Sequence, residues 1–75
     1  MEIFILVDYS GNNIIEVGSD YFAIIKTLNR YLNQQGYDAI LPDLLRQELK
    51  LKPQVEIKAG NKLFAVAISK IDILA

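Results

Sequence analysis

Apolar and polar positions recur with two different periods along this chain, and each change of period marks an element. In residues 2–9, Ile3, Ile5 and Val7 share one face of an extended segment and Phe4 and Leu6 share the other. Apolarity on both faces is the pattern of a central strand covered on each side. Ser10-Gly11-Asn12-Asn13 is turn chemistry, with Gly supplying positive φ and Asn tolerating the left-handed region. Residues 13–17 return as a shorter strand closed by Gly18, so the chain opens on a β-hairpin.

The period then becomes helical. Over residues 20–35, Tyr21, Ile24, Ile25, Leu28, Tyr31 and Leu32 form one stripe at about 100° per residue, with Lys26, Asn29, Arg30 and Asn33 opposite. Ser19 or Asp20 can cap the first turn, and Gly36 suits the left-handed position after the last. Phe22 lies off the stripe, near Lys26 and Asn29. It reads either as an aromatic packed under a neighbouring loop, the favoured reading, or as an anchor for a partner.

Pro42 followed by Asp43 fits a first helical turn. With Ile40, Leu41, Leu44 and Leu45 it predicts a short helical piece near 42–48, a lid over one end of the core. From Leu49 the period reads as two. Leu49, Leu51, Val55, Ile57 and Ala59 alternate with Lys50, Lys52, Gln54, Glu56 and Lys58, and Pro53 inside the run marks an edge strand. Gly60-Asn61 is a two-residue hairpin turn, and 62–74 is the last strand, with a bulge or end near Ser69 and apolar Ile71 and Ile73 beyond it. The expectation is one α+β domain over residues 1–75. It is ββαββ in order, β-grasp-like, with a four-stranded mixed sheet of order 2-1-4-3 on one main helix. One crossover helix would set strands one and four parallel. A full second helix would make them antiparallel.

Composition narrows the chemistry. The 75 residues contain neither Cys nor His, which removes disulfides, thiolate metal sites and the usual general base near neutral pH. Ser69 and Lys70 are strand neighbours that point to opposite faces, so they form no Ser–Lys dyad. The oxygen ligands of residues 8–12 lack the Gly placement and closing Glu of a calcium loop, and no phosphate-binding Gly motif occurs. The expectation is no enzyme, no cofactor and no metal. Ile3 to Val7 is too short for a signal peptide core or a membrane span, which leaves a soluble, cytoplasmic protein as the default.

Net charge is −1 but unevenly spread. Residues 1–25 carry Glu2, Asp8, Glu16 and Asp20 with no Lys or Arg. Residues 46–62 carry Arg46, Lys50, Lys52, Lys58 and Lys62 against Glu48 and Glu56.

At this point the chain resembles ubiquitin and other β-grasp domains. Met-Glu-Ile-Phe-Ile at 1–5, Gly11 in the first turn, Ile15-Glu16-Val17 and Ser19-Asp20 before the helix follow that family's order. So do Gly36, Ile40-Leu41-Pro42-Asp43 and Val55-Glu56-Ile57-Lys58-Ala59-Gly60. The resemblance covers about residues 1–60 and implies a fold. The C-terminal Gly-Gly of ubiquitin conjugation has no counterpart in Ile73-Leu74-Ala75, and small immunoglobulin-binding domains share the element order, so no functional residue carries over.

The function expected is a small non-enzymatic interaction module, an adaptor or inhibitor, acting through the sheet face opposite the helix and self-associating as a homodimer. Phe4 and Leu6 would be exposed on that face, with Phe22, Lys26 and Asn29 as a second partner-binding group. The alternative is anion or nucleic-acid binding by a basic row on the third strand, Lys50, Lys52 and Lys58, with Arg46 and Lys62 near its ends. Lysines on an edge strand also block edge-to-edge aggregation, and no aromatic interleaves the row for base stacking.

Overall fold

The computed structural model describes residues 2–70. Strands β1 (Glu2–Asp8) and β2 (Asn13–Gly18) form the first hairpin. Helices α1 (Tyr21–Gln34) and α2 (Pro42–Leu51) follow, then strands β3 (Gln54–Ala59) and β4 (Lys62–Lys70). The sheet order is β2-β1-β4-β3, as the alternation of apolar strands predicts. The apolar continuation expected at Ile71 and Ile73 lies outside the described residues.

Each boundary has a local cause. The Asp20 carboxylate accepts from the amides of Phe22 and Ala23, capping α1. At its other end Tyr37 N–H bonds the Leu32 carbonyl and Gly36 N–H bonds that of Asn33, with Gly36 at φ 82°. This is the paired closure that a left-handed Gly permits. In the first turn it is Asn12, at φ 58°, and not Gly11, that takes the left-handed conformation. A Cβ at Gly11 would lie 2.9 Å from Asn13 Nδ2, the far end of a side chain that can move aside.

Two expectations are corrected. The lid near 42–48 is a full ten-residue helix, and it takes Leu49, Lys50 and Leu51 out of the predicted third strand. Leu-Lys-Leu-Lys satisfies a period of two and a period of 3.6 equally over so few residues. Pro42 at the helix start, good helix formers through Lys50, and Leu45 with Leu49 buried four apart decide for the helix. The second helix reverses the chain once more, so β1 and β4 run antiparallel and not parallel. The sheet is antiparallel throughout instead of mixed.

Both helices lie on one side of the sheet. Ile24, Ile25, Leu28 and Leu32 of α1, with Leu45 and Leu49 of α2, pack on Phe4, Leu6, Phe64, Val66 and Val55. Phe4 and Leu6 are therefore core residues, 3% and 0% exposed, which overturns their placement on the uncovered face. The size of the β4 side chains explains the choice. Phe64, Val66 and Ile68 pair across with Asp8, Leu6 and Phe4, while the alternate positions hold the smaller Ala65 and Ala67. The face with the larger total apolar area goes to the core.

Candidate functional site

The uncovered face of the sheet is the most distinctive surface. In an antiparallel sheet directly paired residues point the same way. Ile5 pairs with Val17 on one side and Ala67 on the other, and Val7 pairs with Ile14 and Ala65. Ile3, paired with Ser69, and Leu63, paired with Lys58, extend the same face. Ile14 and Val17 are the most exposed of these, at 66% and 54%. No position that β1, β2 and β4 give to this face carries a charge. Glu56 and Lys58 of β3 supply the charges, along one margin. Among the described residues no element covers it. The two-sided apolarity of the sheet is legible in the sequence, but the open face carries Ile3, Ile5 and Val7 and not Phe4 and Leu6. The alanines at 65 and 67 were the available signal.

The second predicted group is divided by the structure. Phe22 stands 67% exposed on α1, its ring edge-on to Tyr21 at 5.7 Å between centroids, so it is not packed under a loop. It lines a shallow depression with Lys26, Arg30 and Pro42. Asn29 touches the same depression, but its amide is committed: Oδ1 accepts from Ile40 N–H at 2.8 Å and Nδ2 donates to Ile40 O at 3.2 Å.

The basic row is dispersed. Arg46 points from α2 towards β1, where its guanidinium donates to Glu2 Oε1 at 2.8 Å and lies over the rings of Phe4 and Tyr21 at 5.2 and 5.7 Å. Lys62 reaches Asp8 Oδ2 at 3.8 Å, and Asp8 Oδ1 also accepts from the amides of Ser10 and Gly11, closing the first turn. Lys50 lies in the last turn of α2 and Lys52 caps it, leaving Lys58 alone on β3. Two of the five cations are thus engaged within the domain, and the other three share no element.

Tyr21 ties these parts together. Its hydroxyl donates to the Pro42 carbonyl at 2.6 Å, fastening the start of α2 to the start of α1. Burial raises its pKa, against the lowering effect of Arg46, and Asp43 adds to the rise. Among the described residues no helix is long and apolar enough to cross a membrane. No protein-family model, curated protein or solved structure matches the chain.

Proposed function

We propose that the chain is a non-enzymatic protein-interaction module that associates with a second copy of itself through the open face of its sheet. The observation that supports this is the charge-free apolar surface of Ile3, Ile5, Val7, Ile14, Val17 and Leu63 around the alanines of β4. A contiguous apolar patch on a small domain marks an interface. Ala65 and Ala67 keep the middle of the face low, so a facing sheet can approach to the usual ~10 Å.

Area sets the size class of the contact. Four strands at ~4.8 Å and seven residues at ~3.3 Å give a face of roughly 19 by 23 Å. Stacking two such faces buries on the order of 900 Å², below the ~1,600 Å² of a standard interface. A contact of that size falls in the class of small, transient interfaces.

Sedimentation velocity over the micromolar range tests the reading. The expected result is a mass that rises with concentration. The double variant Ile5→Thr, Val17→Thr keeps β-branched side chains, and so the strands, while wetting the face. It should show a lower mean mass at every concentration with an unchanged circular dichroism spectrum. An unaltered mass–concentration curve overturns the proposal.

A further inference from the structure

We propose that β3 is a second self-association element: the β3 edges of two copies pair antiparallel about a two-fold axis at Ile57, joining two four-stranded sheets into one of eight. This contact uses a different strand from the open-face contact and does not depend on it.

The edge is suited to pairing. β3 lies at the end of the sheet and pairs with β4 in unbroken register, without a bulge. Pro53 O accepts from Ile68 N–H at 2.9 Å, so in the alternation of an antiparallel ladder Val55, Ile57 and Ala59 also turn their peptide groups inward. Gln54, Glu56 and Lys58 turn theirs outward. These are the N–H and C=O groups that an added strand takes up.

Charge selects the register. Only registers that oppose outward residues to outward residues form hydrogen bonds, which places the axis at residue 55, 56 or 57. An axis at 56 sets Glu56 against Glu56 of the second copy. An axis at 55 sets Lys58 against Lys52. An axis at 57 sets Glu56 against Lys58 twice, on the same face of the joined sheet. Opposite charges directly across strands stabilise a pair, and like charges oppose it. The two charges that would discourage indiscriminate edge pairing thus permit one self-pairing.

The helix layer fits the same arrangement. One helix covers two strands, since two strand spacings of ~4.8 Å match an interhelical distance of 8–10 Å. Continuing the sheet across the axis therefore sets the two α2 helices side by side. The side of α2 turned to this edge, away from Arg46, exposes Leu44 and Leu51, at 58% and 85%. With Ile57 they line a groove of about 470 Å³ between α2 and β3. The core of the domain makes no use of these two leucines. A second copy's α2 covers Leu44, whereas Leu51, about 10 Å further along the helix, lies beyond the start of the facing helix. Glu48 shares their side of the helix, and it lies one turn from Leu44, so an axis close to Leu44 keeps the two copies of Glu48 roughly 12 Å apart, beyond a Debye length of about 8 Å.

The test uses charge exchange in the Ile5→Thr, Val17→Thr background, so that the open face does not contribute. Glu56→Lys alone and Lys58→Glu alone each oppose like charges across the axis and should each weaken association at least tenfold by sedimentation. An equimolar mixture of the two restores opposite charges at both positions and should associate as tightly as the parent. In parallel, Ile57→Cys is placed in a chain with no native cysteine. Residues facing at the non-hydrogen-bonded position have Cα atoms ~4.5 Å apart, within disulfide reach. It should form a disulfide dimer on mild oxidation, and Gln54→Cys should not. Single variants that associate like the parent, or a mixture that fails to recover, overturn the register. A parent background that remains monomeric, together with no disulfide from Ile57→Cys, overturns the edge contact while leaving the open-face reading to its own test.

Discussion

Asn29 on α1 holds the backbone of Ile40 by both its groups, accepting from N–H at 2.8 Å and donating to C=O at 3.2 Å. This pair fixes the connector between the two helices and so sets where α2 can begin. It also gives a polar residue opposite the helix's apolar stripe a structural role. Asn29→Ala leaves a part-buried N–H and C=O without their partner, at a cost of about 1–2 kcal/mol. For a domain of this size that corresponds to a Tm lower by roughly 5–15 °C, read by thermal melting. Asn29→Asp keeps one acceptor and loses the donor, so it should not rescue.

Phe22 is expected to behave in the opposite way. The residue is two-thirds exposed, with the Tyr21 ring in T-shaped contact as its aromatic neighbour. Phe22→Ala should cost under about 1 kcal/mol, against the 3–5 kcal/mol of truncating a buried aromatic. A melting temperature within a few degrees of the parent is the expected outcome. A fall like that of a core variant would place Phe22 in the packing.

The two predictions show where the chain could be read and where it could not. The α1 stripe, its Asp20 cap and its Gly36 exit were legible, because a 3.6 period over fourteen residues has no competing interpretation. The hairpin turns and the order of strands followed from Gly, Asn and the two continuous apolar runs. Residues 49–52 were not legible, since four alternating residues suit either period and their neighbour Leu45 decides between them only once it is buried. That single helix controls the direction of β4 relative to β1. Which face of β1 enters the core was also undecided by its own sequence, Ile-Phe-Ile-Leu-Val being apolar throughout. The decision lies in β4, sixty residues away. The dispersed cations follow from the same error, because the basic row existed only while Lys50 and Lys52 were counted on a strand.

Truncation on the two sides of β1 separates core from open face. Leu6 is fully buried against the helices, and Leu6→Ala should cost about 2–5 kcal/mol. Ile5, half-buried on the uncovered side, should cost clearly less in Ile5→Ala when the chain is diluted to monomer. Chemical denaturation of both variants at low concentration gives the comparison. Equal losses would mean that the second face is covered within one chain.

The last prediction concerns alkaline pH and Tyr21. Burial holds its pKa above the ordinary 10.0, with the Arg46 guanidinium acting against the rise and Asp43 adding to it. A folded pKa higher than the unfolded one means that the native state keeps its proton while the unfolded state loses it. The slope of stability with pH is then negative between the two values. The contribution of Tyr21 is fully present below pH 10 and is lost as pH rises from there through the folded pKa. The hydroxyl also donates to Pro42 O at 2.6 Å, a bond that the phenolate cannot make. Tyr21→Phe removes bond and titration together. At neutral pH it should lower stability by about 1 kcal/mol, the net worth of one hydrogen bond. Above pH 10 the gap between the variant and the parent should close, because only the parent still has this contribution to lose. Melting temperatures of both proteins from pH 7 upward test this, and curves that stay parallel throughout would show that Tyr21 does not couple α2 to α1 through its proton.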